Sequence, residues 1–165
     1  MRLVQTGAVL DAFLIEISGL GEKLGPILFQ LPPKLAFELG LARAFFTDLR
    51  SRYRGAVVCE PRHRDWFTPA AEDLLREFRV TRVAADPSVV TAAADPGGWR
   101  GLGYFRLHGS PRMYYSHYHD ARLKRLAAQL TAAGSRTCWC IFDNTAQDAA
   151  TDNAFTLKKL VGARP

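Results

Sequence analysis

Short apolar runs alternate with helical patterns along most of this sequence. The runs predict strands at residues 27–31, 56–60, 81–85, 103–107 and 137–142. Between them the apolar residues mostly recur at the spacing of an amphipathic helix, as Phe37, Leu41 and Phe45 do. This alternation is typical of a parallel sheet with right-handed crossovers. The sequence therefore predicts an α/β fold of about five parallel strands with flanking helices.

The helices and the longest loop can also be placed from the sequence. Helices are predicted around residues 9–20, over 35–50, from Thr68 and Pro69 onward, over 119–133 with Gly134 at its end, and over 152–161. Thr68 is a suitable N-cap and Pro69 suits the first helical position. Residues 87–101 are rich in Pro, Gly and Ala and predict a long loop. The strands themselves are almost continuously apolar, which favours a sheet covered on both faces.

The composition is that of an ordinary globular protein. Of the 165 residues, 48% are hydrophobic and 23% are charged, and no apolar stretch is long enough to predict a membrane span. The first twenty residues do not have the pattern of a signal peptide, because Asp11 and Glu16 interrupt their apolar run. Cys59, Cys138 and Cys140 include no CxxC pair, which predicts reduced thiols. We therefore expect a cytoplasmic protein.

The net charge of +6 raises the possibility of a nucleic-acid partner. The basic residues are spread along the chain, and no run of five or more Lys or Arg occurs. A nucleic-acid-binding module that uses this basic surface is therefore an alternative and not the favoured function.

Polar side chains follow every predicted strand at the point where it ends. They are Gln30 on the first strand, Glu60, Arg62 and His63 on the second, Asp86 on the third, Arg106, His108 and Gly109 on the fourth, and Asp143, Asn144 and Thr145 on the fifth. In parallel α/β folds, ligands bind at the carboxyl ends of the strands. A buried layer of paired charges that only holds the strands in register is the structural alternative.

Alternation along the strands predicts which of these side chains share a face. Glu60 should share a face with Arg62, Arg106 with His108, Ala84 with Asp86, and Leu28 with Gln30. In a barrel this shared face is the inner one, which lines the lumen. For the last strand, either Cys140, Phe142 and Asn144 or Trp139, Ile141 and Asp143 can point inward.

Four ordered motifs, GPILFQLPP, EPRHRDWF, RLHGSPRMYYSHY and FDNTAQDAATDNA, resemble the YecE-like proteins, the domain-of-unknown-function family numbered 72. The resemblance runs from about Leu20 to Leu160. It implies a TIM-type (β/α)₈ barrel and no settled activity. The matching positions are Gln30, Glu60, Arg62, His63, Trp66, Asp86, Arg106, His108, Gly109, Tyr118, Asp143, Asn144, Thr145 and Asn153.

Two departures from the family pattern carry consequences. Asp148 stands where the family usually has a glycine, at a turn that favours a positive φ. The first family strands have no counterpart, so the resemblance is to the C-terminal two-thirds only. We therefore expect residues 1–165 to be a single incomplete domain, a partial barrel built from the fourth to eighth strands. Its unpaired sheet edges favour self-association or pairing with another chain.

The strand-end residues predict a site for a small polar, anionic ligand. His108 and His63, with Glu60 or Asp86 orienting them, are the candidate catalytic acid–base residues. The candidate ligand-binding residues are Gln30, Arg62, Arg106, Gly109, Tyr118, Asp143, Asn144 and Thr145. A divalent metal held by the carboxylates and histidines is possible, although no metal-binding motif is present. Whether the chain is an enzyme or an inactive truncated remnant is left open.

Several other residues have a structural and a functional interpretation. Arg112, in the loop after the fourth predicted strand, can supply forked donors to an anion. The aromatic residues Trp66, Tyr114, Tyr115 and Tyr118 can stack on a ligand or simply pack beneath the loops. We expect His117 and His119 to be exposed loop residues, and Cys138 and Cys140 to be small core residues.

Overall fold

The strands lie side by side in the order in which the chain forms them. The computed structural model describes residues 3–132 and 137–162. Its strands are β1 (Ile27–Gln30), β2 (Val57–Glu60), β3 (Val80–Arg82), β4 (Ala84–Asp86), β5 (Gly97–Gly98), β6 (Gly103–Leu107) and β7 (Cys138–Phe142). β1, β2 and β3 pair in parallel, and so do β4, β6 and β7.

β3 and β4 occupy the place of the single third strand that the sequence predicts. Only Val83 separates them, and its N–H still donates to the Cys59 carbonyl at 2.8 Å, in line with the β2–β3 pairing. The pairing partner changes here, because β3 pairs with β2 whereas β4 pairs with β6. The predicted α/β fold with parallel strands is confirmed, and the strands within residues 3–132 and 137–162 form two groups that do not close into a barrel.

The predicted helices are all present among the described residues. They are α1 (Gly7–Ser18), α2 (Leu39–Arg52), α3 (Pro69–Glu77), α4 (Asp120–Ala132) and α5 (Ala149–Gly162), with short 3₁₀ segments at Gly21–Lys23, Arg64–Phe67 and Thr91–Ala94. Gly134, predicted to end the fourth helix, lies outside the described residues.

Local capping explains where three of the helices begin. α3 starts as predicted, with the Thr68 hydroxyl accepting the Ala71 N–H and proline in the first turn. α2 starts later than expected because the Glu38 carboxylate accepts the N–H groups of Gly40 and Leu41, both at 2.8 Å. α5 starts at Ala149, directly after Asp148, which has a φ of 58°.

The loop predicted at residues 87–101 is more ordered than expected. It contains a 3₁₀ turn and then β5, which runs antiparallel to β3. The Glu72 carboxylate accepts the Gly98 N–H at 2.5 Å and also pairs with Arg82. Gly98 has a φ of 62°, and a Cβ there would lie 2.6 Å from the Val80 carbonyl oxygen, so this return strand requires glycine.

Apolar side chains pack on both faces of the strands. Phe45, Phe46, Leu49, Leu74 and Leu75 of α2 and α3 cover β1–β3, and a second group from α4 and α5 covers β4, β6 and β7. The opposite face carries a third cluster, which we call the inner cluster: Leu28, Val58, Val83, Trp99, Leu102, Tyr104 and Ile141.

β7 departs from the expectation that both faces of the sheet are covered. It pairs with β6 alone among the described strands, and 39% of Trp139 is exposed. Cys138 is exposed, so the prediction that it is a core residue is wrong, whereas Cys140 is half-buried and packs against the cluster that α4 and α5 cover. All three thiols are free, as predicted. Within residues 3–132 and 137–162, no helix combines the length and apolarity needed to cross a membrane.

Candidate functional site

A layer of charged side chains lies at the carboxyl ends of the strands, directly beyond the inner cluster. Each charged or amide residue stands two positions after a member of that cluster: Gln30 after Leu28, Glu60 after Val58, Arg106 after Tyr104, and Asp143 after Ile141. Residues two apart on a strand share a face. The sequence allows two orientations of β7. The structure has the one in which Trp139, Ile141 and Asp143 point inward.

Glu60 is the anionic centre of this layer, and it is fully buried. One carboxylate oxygen accepts from Arg62 Nη1 at 2.8 Å and contacts His108 Nε2 at 3.0 Å, while the other accepts from Arg106 Nη1 at 2.7 Å. Burial alone raises the pKa of Glu60, but the hydrogen bonds from His108, Arg62 and Arg106 outweigh it and lower the pKa to about 2. Glu60 is therefore an anion at neutral pH.

Arg106 connects three strands besides its own. Nη1 donates to the Gln30 side-chain oxygen at 2.8 Å as well as to Glu60, and Nη2 donates to Asp143 at 2.7 Å. The planar guanidinium is thus fixed by three partners on β1, β2 and the segment after β7. Its Nε and one hydrogen of Nη2 have no hydrogen-bond partner among the described residues, so they remain available as donors.

His108 lies between the two carboxylates and is fully buried. Nδ1 is 3.0 Å from Asp143 and Nε2 is 3.0 Å from Glu60. An imidazolium ring would donate to both carboxylates, whereas a neutral ring has only one N–H. In the neutral form with the proton on Nδ1, Nε2 can instead accept from Arg62 Nη1, which lies 3.4 Å away.

Three charged side chains of the layer reach solvent. Asp143 is 32% exposed, Arg62 is 15% exposed and Arg106 is 13% exposed, compared with 1% for His108 and for Glu60. Arg62 uses only Nη1 for its contacts with Glu60 and His108. The predicted convergence of Gln30, Glu60, Arg62, Arg106, His108 and Asp143 is present in the structure, and we call this group the charged cluster.

A second polar group fastens the loop after β6 to the end of β7. Asn153 of α5 accepts the Tyr118 N–H at 3.0 Å and donates to the Tyr118 carbonyl at 2.9 Å. Asn144 Nδ2 donates to Asn153 Oδ1 and to the Ser116 carbonyl, both at 2.9 Å. Asn144 Oδ1 is buried and has no hydrogen-bond partner among the described residues. These contacts hold a loop rather than present donors to solvent.

Tyr118 and Gly109 belong to this second group. The Tyr118 hydroxyl accepts the Gly109 N–H at 2.8 Å and lies 3.2 Å from the Asp86 carbonyl, to which it donates. Burial raises the pKa of Tyr118, so the phenol stays protonated. Gly109 has a φ of 94°, and a Cβ there would meet the Arg112 carbonyl at 3.2 Å. The Gly109 N–H is therefore already used within the loop.

Asp86 lies apart from the charged cluster. Its carboxylate accepts from Arg122 Nη2 at 2.9 Å and from Arg122 Nε at 3.2 Å, and Arg122 belongs to α4. Ala84, two residues earlier, packs in the cluster covered by α4 and α5. The expectation that Asp86 shares the inner face is therefore wrong, because Val83 takes the inner position and Asp86 turns to the helices. Arg122 was missed by the sequence reasoning, and no motif marks it.

His63 and Thr145 also lie outside the charged cluster. His63 caps the 3₁₀ turn Arg64–Phe67, with Nδ1 accepting the Asp65 N–H at 3.3 Å. The Thr145 side chain is exposed, and its carbonyl accepts the Asp148 N–H at 3.2 Å. His117 and His119 are exposed as expected, although His117 Nε2 contacts Asn153 at 3.1 Å.

The aromatic candidates divide into buried and exposed residues. Trp66 is buried and donates to the Leu35 carbonyl at 3.0 Å, so it is a core residue. Tyr114 is exposed, has a φ of 67°, and lies edge-on to His108 with 6.0 Å between the ring centroids. Tyr115 is exposed and stacks under the Arg112 guanidinium at 3.8 Å.

The charged cluster does not suit a divalent cation. Both oxygens of Glu60 already accept from guanidinium groups, and two arginines stand where a cation would have to approach. Within the part of the chain that the structure describes, no three His, Cys, Asp or Glu side chains are placed to hold a metal ion. The donor set fits an anion better than a metal.

Comparison with known proteins places the chain among others of the same fold. It matches a DUF72 family protein from Thermotoga maritima with a TM-score of 0.80 and 22% identity, covering 95% of this chain and 66% of that one. It matches a DUF72 family protein from Enterococcus faecalis with a TM-score of 0.81 and 18% identity, covering 98% and 68%. The chain thus spans about two thirds of the length of these proteins. No curated protein matches it.

The family model corrects one expectation. The model described as "Protein of unknown function DUF72" matches residues 1–165, so the resemblance is not confined to the segment from Leu20 to Leu160. The prediction that the chain resembles only the C-terminal two-thirds of the family is likewise not confirmed. With this match over its whole length, the chain belongs to the DUF72 family.

Proposed function

We propose that this chain binds a small polar anion at the carboxyl ends of its parallel strands, with Arg62 and Arg106 as the ligand-binding residues. One observation supports this proposal above all. The buried Glu60 carboxylate holds both arginines in place, and each arginine keeps N–H groups that can still donate to a ligand. Arg106 is fixed by Gln30, Glu60 and Asp143 and keeps unused donors. Arginine forks match the geometry of carboxylate and phosphate oxygens.

The charge balance of the cluster supports an anionic ligand. Arg62 and Arg106 supply two positive charges, and Glu60 and Asp143 supply two negative ones. A proton taken up by His108 together with an anionic ligand would therefore keep the cluster neutral. Because these groups are largely buried, their attraction for that anion is screened less than it would be at the surface.

Within this proposal, Glu60 positions the arginines and His108. A general base works best with a pKa near the operating pH, and the Glu60 pKa of about 2 makes it a weak base near neutrality. His108 remains the candidate acid–base residue, oriented by Asp143 at Nδ1. His63 and Asp86, which lie outside the cluster, take capping and ion-pairing roles.

The experiment is a binding titration with named probes. Calorimetry and thermal shift with inorganic phosphate, sulfate and malonate, at constant ionic strength, should give saturable binding of at least one anion. Arg62→Gln should weaken that binding by about 10–100-fold, the range expected for losing a charge-assisted hydrogen bond. Arg125→Gln, at an exposed position on α4, is the matched control. No saturable binding, or an equal loss in both variants, would refute the proposal.

We also propose that the parallel strands form part of a (β/α)₈ barrel, as its fourth to eighth strands. The parallel strands follow their chain order within each sheet, and this order, the helices between the strands and the inward polar layer all support this arrangement. A crystal structure should show the β1 and β7 edges curving toward the same axis. A flat, open sheet would contradict it.

The nucleic-acid alternative stays a prediction with a test of its own. Part of the basic excess is used in ion pairs, such as Arg43 with Glu77 and Arg52 with Asp11. Binding driven by the remaining charge should weaken steeply with salt, so that log K falls linearly with log salt concentration. Titration of a fluorescent duplex at low salt would show that slope or exclude this partner.

A further inference from the structure

We propose that a cavity at the amino ends of β2 and β3 is a second ligand site, which binds the phosphate group of a mononucleotide through arginines and its planar base against Trp99. This cavity lies at the opposite end of the strands from the charged cluster, so the inference goes beyond the anion binding proposed above. Parallel α/β folds bind their ligands at the carboxyl ends of the strands. The inference therefore rests on the residues of the cavity and not on the fold.

The cavity has a volume of about 440 Å³, which is within the range of small-molecule sites. It lies between the two segments that lead from a helix into a strand, one from α2 to β2 and the other from α3 to β3. Its lining includes Arg50 and Arg54 from the first segment, Glu77 and Arg79 from the second, and Trp99 from the end of β5. Parallel strands place their amino ends at the same edge of the sheet, which brings these residues together.

The lining of this cavity carries an excess of positive charge. Three arginines line it, at positions 50, 54 and 79, and the carboxylate that lines it with them, Glu77, already pairs with Arg43. Within the described ranges, the side chains of Arg54 and Arg79 have no hydrogen-bond or ion-pair partner. Burial lowers the pKa of Arg50, and the positive charge of Arg79 lowers it further. An anion between these arginines would therefore replace a repulsion with an attraction.

Arg50 holds the two segments of the cavity together. Its Nε donates to the Phe78 carbonyl at 2.8 Å, Nη1 donates to the Gly55 carbonyl at 2.8 Å, and Nη2 donates to the Arg79 carbonyl at 2.9 Å. These bonds satisfy carbonyl groups beyond the ends of α2 and α3, which is a structural role for Arg50. They do not explain why Arg54 and Arg79 place two further guanidinium groups beside it.

The backbone of Arg79 is in an unfavourable conformation for an arginine. Its φ is 51°, in the left-handed region, and it directly follows Phe78, the C-cap residue of α3. Helices commonly have glycine at this position, because glycine avoids the steric cost of a side chain there. Residues held in such conformations cluster at functional sites. The strain thus occurs at a residue whose guanidinium lines the cavity.

Trp99 provides an aromatic wall for the same cavity. Its N–H donates to the Val80 carbonyl at 3.0 Å, at the amino end of β3, and its half-buried ring packs against the inner cluster. A Cβ at position 101 would overlap the indole ring, so Gly101 is what allows the ring to lie there. The ring is therefore fixed in place before a ligand binds. Guanidinium groups suit phosphate oxygens, and an aromatic ring suits a nucleic-acid base.

The test is calorimetry with adenosine 5′-monophosphate in the Arg62→Gln background, which disables the anion site proposed above and separates the two proposals. The nucleotide should bind saturably and about tenfold more tightly than inorganic phosphate or adenosine, because both its phosphate and its base make contacts. Arg54→Gln should weaken this binding about tenfold or more, the range for losing a charge-assisted hydrogen bond. Trp99→Leu should weaken it about fivefold or more. Arg125→Gln, at an exposed position on α4, is the matched control for charge and should leave it unchanged.

A second variant separates a binding role of Arg79 from a structural one. Arg79→Gly should weaken nucleotide binding about tenfold or more, and should raise the melting temperature by up to about 4 °C because it removes the backbone strain. Asp148→Gly is the matched control, because Asp148 has a φ of 58° at a turn away from the cavity. It should raise the melting temperature in the same way and leave nucleotide binding unchanged.

Four results would overturn the proposal. The first is no saturable binding of the nucleotide in the Arg62→Gln background. The second is equal binding with and without Arg54→Gln, which would place the nucleotide elsewhere. The third is phosphate that binds as tightly as the nucleotide, which would show that Trp99 contributes nothing. The fourth is a lower melting temperature in Arg79→Gly, which would assign this arginine a structural role.

Discussion

Replacing Glu60 by glutamine should strongly destabilise the fold, because the side chain keeps its size and loses its charge. In the native chain the carboxylate accepts from Arg62 and Arg106 and contacts His108. The amide of Glu60→Gln has one oxygen for these partners and adds two N–H donors. At least one of the two guanidinium groups would therefore lose its hydrogen bond to residue 60. Both arginines would also lose the negative charge beside them, in a site where they cannot be fully hydrated.

The magnitude follows from the pKa of Glu60. Its value of about 2 in the folded chain compares with an ordinary value of 4.5, which corresponds to about 3 kcal/mol of stabilisation. Removing one partner of a buried ion pair costs about 3–5 kcal/mol in other proteins, which agrees with this value. Because the folded pKa is depressed, the stabilisation is complete above about pH 4.5 and is lost as the pH falls toward 2.

Urea unfolding at several pH values measures both effects. At pH 7, Glu60→Gln should lower the free energy of unfolding by about 3 kcal/mol, whereas Glu16→Gln on the exposed face of α1 should change it by less than about 0.5 kcal/mol. Between pH 4.5 and 2, the stability difference between the parent and Glu60→Gln should shrink. A loss of less than about 1 kcal/mol at pH 7, or a difference that does not depend on pH, would refute the electrostatic account of this cluster.

Three further predictions concern the rest of the molecule. Asn153→Ala should lower the free energy of unfolding by about 2–4 kcal/mol, because the Tyr118 backbone loses buried partners; a loss below about 1 kcal/mol by urea unfolding would contradict this. Asp148→Gly should raise the free energy of unfolding by up to about 1 kcal/mol, because glycine adopts a φ near 58° without the steric cost of a side chain. A lower melting temperature in this variant would show that Asp148 has no such steric cost. Cys138 is exposed, whereas Cys59 is buried with a raised pKa, so a thiol reagent should modify Cys138 in the folded chain and Cys59 only after unfolding. Equal rates of modification would disprove the burial of Cys59.

The charged cluster could be predicted because alternation along a strand is strict. Spacing predicts that Glu60 shares a face with Arg62, and Arg106 with His108, and in the structure Arg106 Nη1 lies 2.7 Å from a Glu60 carboxylate oxygen. Asp86 was misplaced for a related reason. Alternation says which residues share a face, and it does not say which face is inner. Val83 packs in the inner cluster, so Asp86, an odd number of residues later, points to the opposite face. There Arg122 of α4 pairs with its carboxylate.

The surroundings of β7 show a second limit of sequence patterns. Its residues, CWCIF, suit a strand covered on both faces, and yet Cys138 and Trp139 are exposed. Apolar composition reflects what a strand is suited to contact, whereas exposure depends on which neighbours are present. His63 illustrates the same point, because a histidine near a strand end predicts chemistry and its ring instead caps a 3₁₀ turn.

The loop that returns as β5 carries Trp99 and, a few residues later, Leu102 into the inner cluster. These side chains make a dry floor beneath Glu60, Arg106 and Asp143, about two residues, or roughly 7 Å, below the charges. A ligand that approached from the side of the inner cluster would have to displace these apolar side chains, whereas at the carboxyl ends of the strands it meets the partly exposed Arg62, Arg106 and Asp143 directly. The direction from which a ligand arrives is thus set by the apolar layer as much as by the arginines.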